Sequence, residues 1–458
     1  MSRRNRSHWR QSFVLLLASL MVMTQTLPVW SGHQLFRSNS VGGVSIDTAG
    51  VLREPDLESR KVLHDELLKT VKGAAGDMSR PVGMRMVSLR GLEAAIAHAN
   101  QHNLGQLPDE VKYLAGMQRV QYVFVDKEQN DVILAGPGEG WRVDDKASVV
   151  GITTGRPVIQ LDDLLVAFRT VEEARNGGIS CSIDPTEEGY RRLNQVLAAA
   201  KRNRTQNRKA LEPKMKAAFG PQQISIQGVP ATSHLARVIV AADYRMKRYA
   251  MGLEAAPVKG LPSFTQMIKS KAAATNVNPR WWMACNYAPL AKSKDGLSWE
   301  LRGPGVKCMT ENDFVTDEGQ VIGTKNVDPI AQKWADVFTE KYDELCAKDA
   351  VFGELRNVMD LCVIAALIEK EGLLAKAGCS LPMITTSSEA APIEEWHAPK
   401  TVEPQCSFLR TRSGWLVTAS GGVQIESWQV ASNAVVEEEL NNTRSKAVES
   451  SGKVWWWN

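Results

Sequence analysis

One long apolar run, close to the start of the chain, constrains everything that follows it. Residues 13–23 (FVLLLASLMVM) come after four arginines, all within the first ten residues. A charged segment followed by an apolar stretch of this length is typical of a secretory signal peptide, and the stretch is short for a membrane-spanning helix. Because no later segment approaches such a span, we expect the rest of the chain to fold as a soluble exported body.

The position of signal cleavage is less constrained, since no A-x-A motif follows the apolar run. The best small-residue site is Val29-Trp30-Ser31, with cleavage before Gly32. An uncut N-terminal anchor is the alternative. Polar residues at 24–26 end the apolar run early, which favours cleavage.

Net positive charge is confined to the N-terminal segment. The formal net charge is +4, and residues 1–31 contain four arginines and no acidic residue. Removing these four from the 55 basic residues leaves 51, which equals the number of acidic residues. Because phosphate binding needs a basic surface, the neutral body argues against nucleic acid as a partner.

Seven cysteines follow the signal segment, and none forms a C-x-x-C pair. An odd number in a long chain is unlike the disulfide framework of a small secreted domain. Cys346 and Cys362 lie in apolar helical surroundings, so we expect them to be core residues. One or two disulfides stay open as an alternative, and Cys285–Cys308 is a candidate pair that spacing does not establish.

Strand and helix patterns follow one another along the body without an internal repeat. The expected fold class is α+β, in a mixed architecture of two to three domains with β-hairpins, an αα-hairpin and a C-terminal β-rich segment. The predicted segments are a signal peptide (1–31), an N-terminal α+β domain (32–212), a second α+β domain with the αα-hairpin (213–380), a linker (381–405) and a C-terminal β-hairpin with a Trp-rich tail (406–458).

Capping residues predict the ends of two helices. Thr232 and Ser233 are both N-cap candidates for a helical pattern over residues 234–251, and Gly252 is expected to end it. Asp184-Pro185 is predicted to cap the helix that begins at Glu187, since proline is favoured in a first helical turn.

Two further stretches are predicted to lie outside regular elements. A polar connector is expected to lead from the basic end of the helix that begins at Glu187 into a strand at Ile224. Ser420-Gly421-Gly422 fits a tight turn between strands at residues 415–419 and 423–428.

Several long stretches share one family resemblance. They are GITTGRPVIQLDDLLVAFR, GGISCSIDPTEEG, RVIVAADYRMKRYAMG, PRWWMACNYAPL, DGLSWELRGPGVKCMTE, AQKWADVFTEKYDEL and GWLVTASGGVQIESW, in this order. Together they cover most of the mature chain, which resembles the exported planctomycete bacterial proteins catalogued only as a domain of unknown function (1598). The resemblance implies export and a shared fold. It carries no established activity, so it transfers no catalytic residue.

Residues 149–169 are also similar to the end of a PDZ domain core, where a Gly-Arg-Pro-Val turn precedes a short helix. PDZ domains bind peptides by adding a strand to a sheet edge. Their carboxylate-binding loop would lie upstream, where GPGEG (136–140) is a poor substitute for it. The similarity implies a peptide-binding adaptor by analogy of fold alone.

No recognisable motif assembles a catalytic or metal site. His98 and His102 are four apart on a predicted helix, but HANQH lacks the glutamate of H-E-x-x-H, which favours a solvated face. Cys181 lies on a short strand without a recognisable partner histidine, which favours a buried thiol. Ser420 has a strand–turn–strand context instead of a G-x-S-x-G elbow. We therefore predict no catalytic, cofactor-binding or metal-ligating residue.

Tryptophans supply the candidate binding surface, which comprises Trp281, Trp282, Trp299, Trp455, Trp456 and Trp457. Trp281 and Trp282 are adjacent on a predicted strand, so alternation places them on opposite faces and at least one can be exposed. An exposed indole stacks on sugars or anchors a partner, whereas a buried one belongs to an ordinary core. The three terminal tryptophans either dock on the body or meet a partner or membrane surface.

These observations favour a non-enzymatic envelope or extracellular protein that acts by binding. The expected partner is an envelope protein or a cell-wall polymer, with membrane contact only through the signal segment or the Trp tail. The alternative is an exported hydrolase on an unfamiliar scaffold, with a site built from distant residues such as Asp243, Arg245, His234 and Cys181.

Overall fold

Short strands and helices follow one another through the described part of the chain. The computed structural model describes residues 43–102, 107–203, 207–268, 277–386, 389–410, 415–449 and 454–458, so the predicted signal peptide and its cleavage site lie outside the described residues. The α-helices are α1 Leu57–Thr70, α2 Leu89–Gln101, α3 Asp109–Lys112, α4 Leu161–Arg169, α5 Val171–Arg175, α6 Glu187–Arg202, α7 Arg208–Phe219, α8 His234–Met251, α9 Phe264–Met267, α10 Pro329–Glu340, α11 Tyr342–Lys348, α12 Ala350–Glu371, α13 Leu373–Ala377, α14 Pro382–Thr385, α15 Ser427–Ala431 and α16 Leu440–Val448.

Two 3-10 helices, Gly76–Ser79 and Leu114–Gly116, lie between these elements. The strands are mostly short. The strands are β1 Ser45–Ile46, β2 Val51–Arg53, β3 Val82–Ser88, β4 Tyr122–Asp126, β5 Asp131–Gly138, β6 Trp141–Val143, β7 Val149–Gly151, β8 Ile179–Pro185, β9 Gln222–Gln227, β10 Val277–Asn286, β11 Leu290–Lys292, β12 Ser298–Glu300, β13 Gly305–Val315, β14 Val321–Gly323, β15 Thr401–Val402, β16 Ser407–Arg410, β17 Trp415–Thr418, β18 Gly421–Ile425, β19 Ala434–Val436 and β20 Trp456–Trp457.

Two large mixed sheets organise these strands. The nine-stranded sheet has the order β1-β2-β15-β9-β8-β18-β10-β13-β14, with parallel pairs at β2–β15 and β18–β10. The seven-stranded sheet has the order β19-β11-β12-β4-β5-β3-β20, with one parallel pair at β11–β19. Two small sheets, β16–β17 and β6–β7, complete the set. Helices and strands are thus mixed without a regular βαβ alternation, and the predicted α+β class is confirmed.

Helices α8 and α12 form the centre of the main core. Seventeen of the eighteen residues of α8 are buried, and so is every residue of α12 from Ala350 to Ile368. Of the two N-cap candidates, Ser233 is the cap, since its side chain accepts a hydrogen bond from the Ala236 amide. Gly252 ends α8 with φ 70°, as predicted. Since α8 carries His, Asp, Lys and Arg into this core, each charge requires a partner there.

A second, smaller cluster covers part of the nine-stranded sheet. It joins α6, α7 and the β16–β17 hairpin through buried residues such as Tyr190, Phe219 and Phe408. The Val417 amide donates to the Asn278 side chain at 3.1 Å, which ties the hairpin to β10.

The described residues form one compact unit, and strands from all the predicted segments of the body share sheets. The nine-stranded sheet alone takes β8 from segment 32–212, β10 from 213–380 and β18 from 406–458. The predicted linker, residues 381–405, supplies β15 to the same sheet and buries Ile384 and Val402. Its described residues therefore pack on the body instead of spanning a gap.

Three local predictions need correction. Thr186, not Asp184-Pro185, caps α6 by accepting a hydrogen bond from the Gly189 amide, while Asp184 and Pro185 stay in β8. The expected polar connector contains α7, which tolerates Pro213 within it. Ser420-Gly421-Gly422 is not a hairpin turn, because β18 pairs with β8 and β10 while β17 pairs with β16.

None of the described helices has the length and apolarity that a membrane span requires.

Candidate functional site

A groove of about 410 Å³ opens on one face of the nine-stranded sheet, above β9, β8, β18 and β10. The lining residues are Gly177, Ser180, Cys181, Ser182, Ser225, Gln227, Arg280, Trp282, Gly421, Gly422, Val423 and Gln424. Most of the side chains that face solvent here are small or polar, which suits hydrogen bonding to a polar ligand.

Strict alternation in β8 and β9 produces this polar face. In β8, Ile179, Cys181 and Ile183 are buried, while Ser180 and Ser182 are half-exposed. The neighbouring sequence QQISIQ, residues 222–227, alternates in the same way. This period of two was the sequence signal for a sheet with one open face, although it did not identify these residues as a site.

Trp282 is the aromatic wall of the groove. It is half-buried, and the adjacent Trp281 is buried on the opposite face, as alternation predicted. The Arg280 guanidinium carbon lies 5.2 Å from the centroid of the Trp282 ring. This cation–π contact holds the indole beside the groove.

Two carboxylates neutralise Arg280. Its Nη2 donates to Glu311 Oε2 at 3.1 Å, and its Nε lies 3.2 Å from Asp313 Oδ1. A hydrogen bond from the Lys325 amide lowers the pKa of Glu311, which keeps that carboxylate ionised. Burial raises the pKa of Asp313 to about 6, although Arg280 opposes this shift. Two carboxylates therefore stand against the single guanidinium at this end of the groove.

Gly421 and Gly422 form the floor. A β-carbon at Gly422 would lie 2.3 Å from the backbone oxygen of Cys181. A β-carbon at Gly421 would lie 2.3 Å from the backbone oxygen of Trp281 and 2.7 Å from Lys247 Cε. Neighbouring atoms approach so closely that neither position accepts a side chain. Gly421 is in register with Trp281 and faces the core, whereas Gly422 is in register with Trp282 and leaves the groove face open above β18.

The other tryptophans of the predicted surface are placed differently. Trp281 packs edge-on against Phe264 and Trp334, and its Nε1 donates to the Ala331 carbonyl at 3.3 Å. Trp299 is fully buried in the other large sheet, on β12. Trp281 and Trp299 therefore belong to the core, and of these three only Trp282 reaches the groove.

The terminal tryptophans dock on the body, which was one of the two alternatives. Trp456 and Trp457 form β20, which pairs with β3 at the edge of the seven-stranded sheet. Trp457 is buried, and its Nε1 donates to the Ala447 carbonyl at 2.8 Å. Trp455 and Trp456 stay half-exposed, and the Arg85 guanidinium lies 5.4 Å from the Trp456 ring.

Asp243, a residue proposed for the alternative hydrolase, lies in a buried ion pair. The Nζ of Lys247 lies 3.1 Å from Asp243 Oδ2 and donates to the Ile183 carbonyl at 2.6 Å. Both side chains are fully buried, beneath Gly421. Burial raises the pKa of Asp243 to about 6, although Lys247 opposes this shift.

His234 and Arg245 lie in two other buried networks. His234 Nδ1 lies 2.9 Å from Asp163 Oδ1. Burial lowers the pKa of His234, but Asp163 outweighs that effect and raises the pKa to about 9. Arg245 donates to Asp349 at 3.1 Å and to Glu254 at 2.7 Å.

Carboxyl groups near His234 also have shifted pKa values. Burial raises the pKa of Glu354 to about 7 and that of Asp162 to about 6, with His234 opposing both shifts. The backbone amide of Glu394, in the segment predicted as a linker, donates to Asp162 at 3.3 Å. These ionisable groups are partners of one another, and His234 itself is buried away from solvent.

The cysteines are small side chains of the folded body. All seven lie among the described residues, all are free, and Cys285 and Cys308 do not form the candidate disulfide. Cys181 is buried, and both its burial and the charge of Asp243 raise the pKa of its thiol. A nucleophilic cysteine needs a lowered pKa, so this environment is the reverse of an activating one.

Metal-ligating side chains are dispersed. No group of three or more His, Cys, Asp or Glu residues could hold a metal ion within the described ranges. His98 and His102 are both exposed, with ring centroids 4.0 Å apart on the end of α2. This is the solvated face that their spacing predicted.

The PDZ-like stretch does not present an open groove. Its helix is α4, and seven of the nine residues of α4 are buried. α4 packs against α12, and residues 156–158 occupy the edge of β7 that β6 leaves open. The Gly151 amide donates to the Arg156 carbonyl at 2.8 Å, and the Val158 amide donates to the Val149 carbonyl at 3.2 Å. A bound peptide would need an accessible sheet edge beside the helix, so this similarity is local.

One family model matches the chain, with the description "Protein of unknown function (DUF1598)", over residues 181–264. These residues thus contain a domain of unknown function, in agreement with the family resemblance. The matched segment runs from β8 to the start of α9, and it includes Ser182, Ser225 and Gln227 of the groove. No curated protein and no solved structure matches the chain significantly.

Proposed function

We propose that this protein is an exported, non-enzymatic binding protein of the cell envelope, and that its groove binds a carbohydrate chain. The observation that carries the proposal is the half-buried Trp282 beside a floor of serine, glutamine and glycine. An indole packs against the apolar face of a sugar ring, while hydroxyl and amide side chains hydrogen-bond to the sugar hydroxyls.

The N-terminal sequence supports the proposed location. Four arginines followed by an eleven-residue apolar run, residues 13–23, are typical of a signal peptide. The resemblance to exported planctomycete proteins supports the same location and a bacterial source. A groove that is exposed outside the cytoplasm comes into contact with cell-wall polymers, so such a polymer is the proposed partner.

The buried acid–base groups give no support to the hydrolase alternative. Asp243 and His234 each pair with a neighbouring charge inside the core, and the Cys181 thiol has a raised pKa. A general base or nucleophile must reach its substrate within hydrogen-bond distance. Binding is therefore the function that the groove supports best.

The test of binding is co-sedimentation of the purified full-length chain with cell-wall polysaccharide from the producing bacterium. Trp282→Ala is expected to weaken binding by about tenfold or more, because a central aromatic anchor contributes at least about 1.4 kcal/mol. Trp415→Ala, a half-buried tryptophan on β17 outside the groove, is the matched control and is expected to bind normally. Equal binding by wild type and Trp282→Ala would refute the assignment of the groove.

The proposed location has a separate test. Fractionation of the producing cells is expected to place the protein outside the cytoplasm, with an N-terminus at Gly32 after cleavage. Recovery of the unprocessed chain with cytoplasmic enzymes would contradict export and leave the binding result to be judged by itself.

A further inference from the structure

A row of small residues crosses four neighbouring strands within the groove. Strand register places Ser225 opposite Ser182, Ser182 opposite Gly422, and Gly422 opposite Trp282. The four residues therefore form a line perpendicular to the strands. Three spacings of about 4.8 Å give this row a length of about 14 Å.

Longer side chains border the row. On one side, two residues along their strands, lie Gln227 and Gln424, and both are exposed. On the other side Arg280 lies two residues before Trp282 and stacks on its ring. Since Gly422 has no side chain and the serines are short, the row is a shallow channel that ends at the indole of Trp282.

Two carboxylates outweigh the single cation of the channel. Arg280 is the one charged residue among those that line the groove, and Glu311 and Asp313 already contact it at 3.1 and 3.2 Å. An anionic ligand would have to compete with these carboxylates for the guanidinium, and it would meet their repulsion. An uncharged ligand avoids both costs.

We infer that the groove accepts an uncharged, extended oligosaccharide, at least two sugar units long, that lies across strands β9, β8, β18 and β10 with one ring stacked on Trp282. This inference rests on the proposed function, since it specifies the ligand of the same site. The length of the row exceeds a single sugar ring, so Ser182 and Ser225 contact units beyond the stacked one. The glutamines along the border supply both donors and acceptors to the hydroxyls of those units.

The experiment titrates the full-length protein with sugars of increasing length and records tryptophan fluorescence and heat. Cello-oligosaccharides and N-acetylglucosamine oligomers of one to six units are the uncharged probes, and oligogalacturonates of the same lengths are the charged ones. In at least one uncharged series, affinity is expected to rise by about tenfold or more from one to three units and then to level off. Oligogalacturonates are expected to bind at least about tenfold more weakly than that series.

Two variants locate the binding. Ser182→Leu places a large side chain in the middle of the row and is expected to abolish the gain with length while leaving the binding of one unit. Gln223→Leu is the matched control, because Gln223 is exposed on β9 and does not line the groove. Circular dichroism and the thermal midpoint check that both variants fold.

Each outcome separates this inference from the proposed function. If affinity does not depend on length, if oligogalacturonate binds more tightly, or if Ser182→Leu behaves like Gln223→Leu, the inference is overturned while carbohydrate binding stands. Binding to cell-wall polysaccharide without binding to either uncharged series also overturns it. If the wild type binds neither polysaccharide nor any oligosaccharide, the proposed function itself fails.

Discussion

Substitution of Lys247 by methionine should strongly destabilise the protein. Lys247 and Asp243 are fully buried together, and the nitrogen of Lys247 is the charged group that compensates the carboxylate. The pKa of Asp243 rises from 3.8 to about 6 even with Lys247 in place. At about 1.36 kcal/mol per pKa unit, burial of the ionised Asp243 carboxylate already costs roughly 3 kcal/mol. Removal of the cation is expected to lower the free energy of unfolding by about 3–5 kcal/mol more.

Two comparisons show whether the uncompensated charge is the cause. Lys247→Met with Asp243→Leu removes both charges and is expected to recover most of the loss, since an apolar pair of similar volume replaces a buried ion pair at little cost. The loss from Lys247→Met alone should also shrink as the pH falls. Asp243 in this variant has its pKa raised further, so protonation neutralises it in the folded state at mildly acidic pH.

The assay is urea unfolding of wild type and variants at pH 7.5 and pH 5, followed by tryptophan fluorescence. The sign is fixed by the raised pKa: the folded state binds the proton more tightly than the unfolded state, so acid favours folding at this group. A loss for Lys247→Met below about 1 kcal/mol at pH 7.5 would refute the reasoning, because such a value fits an exposed pair. So would a loss that is the same at both pH values.

Three further predictions concern the core. Trp334→Ala, at a fully buried position, is expected to lower the free energy of unfolding by about 3–5 kcal/mol in urea denaturation, and a loss below about 1 kcal/mol would show that the site is not packed as described. Iodoacetamide at pH 8 should leave Cys181 unmodified in the folded protein, since burial raises its thiol pKa, and rapid native labelling detected by mass spectrometry would contradict this. Because Asp163 raises the pKa of His234 to about 9, from 6.5, the stabilisation by this pair is complete below pH 6.5 and declines as the pH rises to 9. Asp163→Asn should therefore reduce the fall in urea midpoint between pH 7 and 9, and an unchanged fall would exclude the pair as its source.

Local sequence signals were sufficient for elements whose ends and faces depend on nearby residues. Ser233 and Gly252 delimited α8, because capping involves residues within one turn of the helix end. Alternation separated the buried Trp281 from the half-buried Trp282, because side chains of a strand change face at every residue.

The floor of the groove depends on partners that are distant in sequence, and this is why it was missed. Gly421-Gly422 has the composition of a turn, and local turn chemistry favoured that interpretation. In the fold Gly422 lies between Ser182 and Trp282, which are respectively 240 and 140 residues earlier in the chain. Such pairings leave no periodic signal near the glycines. The same applies to Trp299, whose burial depends on its place in a different sheet.

The position of Trp282 is the strongest reason to treat the open face as functional. On the strand next to it Gly422 has no side chain, and beyond that Ser182 and Ser225 are small and polar, as expected where a sheet face meets water. A large indole at such a position buries less apolar surface than Trp281 does in the core, so the fold gains less from it. Arg280 stacks on the ring, and two carboxylates contact its guanidinium. An aromatic ring that is held beside a channel with a glycine floor contributes little to the packing of the core. It fits the recognition of a ligand with one apolar face and many hydroxyl groups.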